Sequence, residues 1–120
     1  MAGLALLDLD TGRVVSEDLH VAVSFGKRLV GLMGREALGC GEGLLLERCP
    51  SIHTFFMRFP IDLAYLDGSF RGVAEHAGVQ PWRVVRPAPF GLHALEMAEG
   101  AFEARGLETG HRLLVVTAQR

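Results

Sequence analysis

Short apolar runs, each closed by glycine, proline or an Asp-Gly pair, recur along the whole chain and limit what it can fold into. Such runs are typical of short β-strands, because an amphipathic helix needs a longer stretch with a period near 3.6 residues. The turn at residues 10–12 and the pair Asp67-Gly68 each predict a β-hairpin. Two strands are predicted in 4–15, and one each in 19–23, 44–47, 51–59, 61–66, 69–75, 92–98 and 111–117.

Two short helices complete the predicted elements. The first covers residues 25–33, and its Gly31 face is expected to pack closely on the sheet. We therefore expect Gly31→Leu to destabilise the protein by roughly 1–3 kcal/mol through overpacking. The second helix covers 99–105 and stops at Gly106, with Leu107 placed to pack back on it.

One α+β domain over residues 1–120 is the expected architecture. Because strands outnumber helices, we predict mostly antiparallel β structure, as a curled sheet or partial barrel with two short helices. A chain of 120 residues is long enough to bury a core of its own.

The charge balance excludes some partners. The 12 basic and 14 acidic residues give a net charge of −2, which offers no general attraction to nucleic acid or to an anionic membrane. Asp8 and Asp10 interrupt the apolar N-terminal run, and no basic region precedes it, so we expect a cytoplasmic protein. The spacing of Cys40 and Cys49 matches no zinc pattern. Because no export signal is found, both are expected to be reduced thiols, and a disulfide is the alternative if the protein is exported by another route.

Ionisable side chains stand inside apolar runs, where burial makes a charge costly: His53, Asp62 and Glu96. A buried carboxylate must pair with a cation, accept backbone N–H bonds at a turn, or take a raised pKa. We expect at least one of Asp62 and Glu96 to be buried and paired with Arg35 or Arg58. A raised pKa would instead indicate a functional pocket.

A continuous strand over 52–58 would also fix which side chains share a face. Alternation places His53, Phe55 and Met57 on one face and Thr54, Phe56 and Arg58 on the other. The proline-rich segment 80–91 is predicted to be an edge strand or a crossing loop. It combines Trp82 and Phe90 with Arg83 and Arg86, a composition that favours recognition surfaces. Its alternative role is to cap the open end of the sheet with aromatic rings.

These observations define a candidate ligand-binding pocket. Its predicted residues are Arg35, His53, Met57, Arg58, Asp62, Trp82, Arg86 and Glu96. His53, Asp62, His93 and Glu96 are also metal-ligand types, but no dense signature such as H-E-x-x-H is present. We therefore predict no metal and no cofactor.

Five motifs in the same order resemble one family. They are "GLMGRE" at 31–36, "GEGLLL" at 41–46, "HTFFMRFPIDLAYLD" at 53–67, "ALEMAEG" at 94–100 and "GLETGHRL" at 106–113. Together they resemble the small prokaryotic family called domain of unknown function 192, over about residues 19–116. The resemblance implies a compact, mostly β domain without an established activity. A Gly-Asp pair of the family pattern stands here as Gly110-His111, which puts any role of a carboxylate there in doubt.

The expected function is that of a binding module. We expect a small soluble accessory domain, a monomer or weak dimer, that binds a small ligand or a protein partner. The alternative is a small hydrolase-like enzyme that uses Asp62 or Glu96 as general base together with His53.

Overall fold

Ten strands and one helix make up the computed structural model, which describes residues 2–23 and 32–119. The strands are β1 (Ala2–Asp8), β2 (Val14–Ser16), β3 (Asp18–Ala22), β4 (Glu42–Leu46), β5 (Ile52–His53), β6 (Ile61–Leu66), β7 (Gly72–Val79), β8 (Val84–Val85), β9 (His93–Ala98) and β10 (Leu113–Gln119). The helix α1 spans Ala101–Arg105. Among these residues no helix has the length and apolar character that a membrane crossing requires.

A five-stranded sheet in the order β3-β4-β9-β6-β7 lies between two apolar layers. β3 and β4 run parallel, and all other neighbours in this sheet are antiparallel. The turn at Asp67-Gly68 joins β6 to β7, which confirms the predicted hairpin. The mostly antiparallel β class is confirmed as well.

Both faces of this sheet are covered by apolar side chains. One face packs against β1, β2, β10 and α1, through residues such as Leu6, Met97 and Phe102. The other face packs against two smaller clusters, one that includes Ile52 and one that includes Met57. Because of this double coverage, every residue of β6 is buried.

The remaining strands form two smaller sheets, a three-stranded one in the order β10-β1-β2 and the pair β5-β8. The expected curled sheet or partial barrel is not found, since the described strands lie in three separate sheets. The segments that flank β5 and β8 carry Pro50, Pro60, Pro81, Pro87 and Pro89. Proline has no N–H to donate to a ladder, so these segments cannot continue one sheet into the next.

The helix α1 confirms the second of the two predicted helices. Gly100 and Gly106 flank it in the left-handed conformation, with φ of 87° and 69°, which glycine adopts without a Cβ penalty. The Leu107 N–H donates to the Phe102 carbonyl at 2.9 Å, and both side chains lie in the core. The other predicted helix and its Gly31 contact fall largely outside the described residues, and residues 32–34 form a turn.

The long strand predicted over 51–59 is wrong. Only Ile52 and His53 are extended, and residues 54–59 leave the strand direction. The two faces expected from alternation therefore do not exist, since Thr54 and Phe56 differ in exposure although both were placed on one face.

Candidate functional site

Thr54 ties two loops together, the loop that follows β5 and the loop that precedes β8. Its N–H donates to the Arg83 carbonyl at 2.8 Å, and its carbonyl accepts from the Trp82 N–H at 3.0 Å. Its hydroxyl donates to the Gln80 carbonyl at 2.7 Å and accepts from the Arg83 N–H at 2.8 Å. Because Thr54 is fully buried, these four bonds are shielded from water and hold the two loops in one arrangement.

Four aromatic side chains, on these loops and at the end of β5, form a largely exposed surface that we call the aromatic patch: His53, Phe55, Phe56 and Trp82. The ring centroid of Trp82 lies 4.8 Å from that of Phe56 and 5.9 Å from that of Phe55. His53 lies 5.0 Å from Phe55. Phe56 and Trp82 nevertheless keep 60% and 57% of their surface exposed. The rings thus support one another without being buried.

The backbone of the aromatic patch is strained. Phe56 and Trp82 have φ values of 64° and 65°, in the left-handed region that costs a bulky residue on the order of 1 kcal/mol or more. The Trp82 N–H is fixed by Thr54, so the surrounding hydrogen bonds maintain this conformation. Backbone strain of this kind is common at functional sites.

Arginines accompany the aromatic patch. Arg58 lies 3.7 Å from Glu36, and both side chains are exposed, so this ion pair contributes little. The exposed side chains of Arg83 and Arg86 make no ion pair or hydrogen bond with any residue in the described ranges. Two guanidinium groups therefore remain available to a partner.

We expect Thr54→Val to loosen the aromatic patch. Valine has nearly the shape of threonine but leaves the Gln80 carbonyl and the Arg83 N–H without their buried partner, which costs roughly 1–3 kcal/mol. Urea unfolding followed by fluorescence measures this loss, since Trp82 is the only tryptophan. Thr54→Ser keeps the hydroxyl and is the control. An equal loss in both variants would assign the effect to the methyl group instead.

Arg35 pairs with Glu42 and not with Asp62 or Glu96. Its two terminal nitrogens donate to the two Glu42 oxygens at 2.8 and 3.0 Å. These bonds lower the pKa of Glu42 and raise that of Arg35. The predicted pairing of a buried carboxylate with Arg35 or Arg58 is therefore wrong, because each arginine meets a less buried carboxylate nearby in three dimensions.

One group within the described ranges has metal-ligand chemistry. The ligand atoms of Asp18, His20 and Glu42 lie within 4.8 Å of one another, and His20 Nε2 is 3.4 Å from a Glu42 oxygen. Both oxygens of Glu42 already accept bonds from Arg35. A cation at this group would have to displace that guanidinium, so the arrangement suits an ion-pair network better than a metal site.

Asp62 is buried and satisfied by backbone donors. Its carboxylate accepts the N–H of Gly78 and of Gly100 at 3.0 Å and that of Phe102 at 3.1 Å. Two of these donors lie at the start of α1, so the carboxylate caps the helix. This is the backbone alternative that the sequence left open, and it gives Asp62 a structural role.

Glu96 is buried without such partners. Its residue is 3% exposed, and desolvation raises the pKa of its carboxyl to about 8. Within the described residues no donor or cation contacts this carboxyl. Among the described residues, every polar side-chain atom that is completely buried has a hydrogen-bond partner. Because the Glu96 oxygens have none, they lie at the small part of this residue that solvent can reach. The group is therefore a neutral acid at pH 7 in an apolar wall.

Asp62 and Glu96 lie in adjacent strands but point to opposite faces of the sheet. In the register of β6 and β9, Asp62 is opposite Met97 and Glu96 is opposite Leu63. Directly opposed residues project to the same face. Asp62 thus faces α1, whereas Glu96 faces the other apolar layer, and the two carboxylates cannot act on one substrate atom.

The eight predicted site residues consequently fall into several places. His53 and Trp82 belong to the aromatic patch, and Arg58 and Arg86 lie near it in the chain, whereas Met57 is a core residue. Arg35, Asp62 and Glu96 each lie elsewhere. Sequence reasoning missed Thr54 as the organiser of the patch, and the only local signal was a polar residue within the run "HTFF".

A crevice of about 460 Å³ beside α1 was also missed. Asp62, Glu75, Glu103 and Glu108 line it together with Phe102. Burial raises the pKa of Glu75, and the carboxylates of Glu108 and Asp62 add to that effect. The acidic residues come from distant segments, so no local pattern could have indicated the crevice.

His111 has a defined partner in the fold. Its Nδ1 lies 2.8 Å from an oxygen of Asp8, which is fully buried. The other Asp8 oxygen accepts the Asp10 N–H at 2.9 Å. The position that departs from the family pattern therefore joins the first hairpin turn to the segment before β10.

Known proteins of similar sequence and structure support one assignment. A UPF0127 protein of Pyrococcus horikoshii is 34% identical over 99 residues, covering 80% of this chain and 85% of that protein. A UPF0127 protein of Pyrococcus furiosus is 29% identical over 115 residues, covering 90% and 95%. The crystal structure of a protein of unknown function from Novosphingobium aromaticivorans superposes with a TM-score of 0.79 at 21% identity, covering 92% and 82%. That structure shares the fold.

The fold and the site define a small, mostly antiparallel β protein with an exposed aromatic surface and three buried carboxylates, Asp8, Asp62 and Glu96. The sequence profile of the DUF192 family, described as "Uncharacterized ACR", matches residues 8–115. The chain belongs to the DUF192 family, as its motifs predicted.

Proposed function

We propose that this protein is a binding module that docks a partner protein on the aromatic patch. The observation that supports this most is the exposure of Phe56 and Trp82, at 60% and 57%, on loops that Thr54 holds together. Aromatic side chains dominate the binding energy of many protein interfaces. Large exposed rings also gain free energy when a partner removes them from water.

Preorganisation of the patch supports the same function. The contact between Trp82 and Phe56 and the hydrogen bonds of Thr54 order these rings when the chain folds. Binding then costs little further conformational entropy.

A binding role is better supported than the hydrolase alternative. A general base needs a free lone pair within reach of the substrate proton. Asp62 already accepts three backbone bonds, and Glu96 lies on the opposite face of the sheet. Among the described residues neither carboxyl forms a hydrogen bond or ion pair with His53, whose Nδ1 accepts the Phe55 N–H, so the acid–base pair that this alternative needs is not assembled.

Two phenylalanines provide the test. Phe56 and Phe90 are both exposed and both have φ of 64°, but Phe90 makes no ring contact with another residue in the described ranges. A partner captured from the source cells is identified, purified and titrated against wild type, Phe56→Ala and Phe90→Ala. We expect Phe56→Ala to weaken binding about tenfold or more and Phe90→Ala to leave it nearly unchanged. Unchanged affinity in both Phe56→Ala and Trp82→Ala would refute the proposed function.

A further inference from the structure

We infer that the segment recognised by the aromatic patch is an acidic peptide with an apolar anchor residue. The inference rests on the proposed function and concerns the charge of the same surface. The anchor would cover Phe56 and Trp82, and carboxylates on either side of it would meet the neighbouring guanidinium groups.

The local charge is opposite to the charge of the whole chain. Residues 48–61 and 80–95, which carry the aromatic patch, contain four arginines and no aspartate or glutamate, whereas the chain has a net charge of −2. An interface is selected when its charges complement those of the partner. A partner with carboxylates fits these two segments, and a basic partner does not.

Two arginines are free to make the contacts. Arg83 follows Trp82 directly, and Arg86 follows β8; both are exposed and have no side-chain partner within the described ranges. Arg58 is held only weakly by Glu36 at 3.7 Å, and a competing carboxylate can replace that contact at little cost. The planar guanidinium group binds carboxylates with two parallel hydrogen bonds, which gives direction as well as charge.

Other occupants fit the charge pattern less well. A nucleic acid presents a continuous run of phosphates. Outside these two segments, a chain with a net charge of −2 repels such a run. A second copy docked patch to patch would bring the arginines of one copy against those of the other. An acidic peptide needs only the local positive charge that the segments provide.

The test uses three synthetic probes and the emission of Trp82, the only tryptophan. The first probe is a peptide with a central phenylalanine flanked on both sides by glutamates. The second carries glutamine at every glutamate position, and the third is a single-stranded oligothymidylate. We expect the acidic peptide to bind and to shift the Trp82 emission, and added salt to weaken its binding.

Variants locate the interaction. We expect the double substitution Arg83→Gln and Arg86→Gln to weaken binding of the acidic peptide about tenfold or more. Arg112→Gln removes an exposed arginine outside these segments and is expected to have little effect. Circular dichroism checks that each variant is folded.

The outcomes separate this inference from the proposed function. The acidic partner is overturned if the glutamine peptide binds as tightly as the acidic peptide, and if this binding is lost in Phe56→Ala but not in the double arginine variant. That result leaves the proposed function intact. Binding of the oligothymidylate alone, or no response of Trp82 to any probe, also overturns the acidic partner. The proposed function itself fails only on the purified partner, if neither Phe56→Ala nor Trp82→Ala weakens its binding.

Discussion

We expect Glu96→Gln to stabilise the protein at alkaline pH by up to about 5 kcal/mol, since one pKa unit corresponds to about 1.4 kcal/mol. Burial raises the pKa of the Glu96 carboxyl from 4.5 to about 8. Below pH 4.5 the Glu96 carboxyl is protonated in both the folded and the unfolded state, so its burial takes nothing from the free energy of unfolding. As the pH rises above 4.5 the unfolded state ionises first, so stability is lost until the folded carboxyl ionises near pH 8. Glutamine cannot ionise and removes this loss.

Urea unfolding at acid, neutral and alkaline pH measures the effect. Wild type is expected to lose stability steadily over this range, and the Glu96→Gln curve is expected to be flatter. Glu99→Gln removes an exposed carboxyl in the next turn and controls for the loss of one negative charge. If the free energies of unfolding of Glu96→Gln and wild type differ by the same amount at every pH, the pKa of Glu96 is not raised.

Asp62→Ala is expected to destabilise the protein by roughly 3–5 kcal/mol. Alanine leaves the N–H groups of Gly78, Gly100 and Phe102 without their acceptor, and these donors lie in or next to the core. Asp62→Asn is also expected to be unfavourable, because its amide can present an N–H to one of these donors. Urea unfolding gives the total loss, and hydrogen exchange at the three amides shows where it arises.

The matched control for Asp62 is Asp67→Ala. Asp67 also accepts backbone N–H bonds, from Ser69 and Arg71, but in an exposed turn where water can replace it. Its removal is expected to cost about 1 kcal/mol. Protected amides at Gly100 and Phe102 in Asp62→Ala would show that the carboxylate does not cap α1.

Elements governed by local chemistry could be predicted from the sequence. The hairpin at Asp67-Gly68 and the helix stop at Gly106 depend on residues next to one another, and both are found. The strand predicted over 51–59 is wrong, and no neighbouring residue in the sequence indicates the error. Its course is set by hydrogen bonds from Thr54 to Gln80 and Arg83, which are distant in the chain.

The candidate site was predicted only in part for the same reason. The apolar runs correctly indicated that at least one of Asp62 and Glu96 is buried, and the structure buries both. The identity of their neighbours depends on how the sheets stack. Asp62 meets backbone donors because its face of β6 packs on α1, and Arg35 meets Glu42 at the surface. Of the eight predicted site residues, His53 and Trp82 lie on the aromatic patch.

The central position of β9 has a consequence for synthesis of the protein. β9 lies between β4 and β6 in the sheet, yet it is translated after both. Until residues 93–98 leave the ribosome, β4 and β6 each present an open edge of unpaired N–H and C=O groups. β6 is also apolar except for Asp62, and exposed apolar edges of this kind drive aggregation. Between the emergence of β6 and that of β9 from the ribosome, the nascent chain is therefore exposed to aggregation, and the stability of the finished fold gives it no protection.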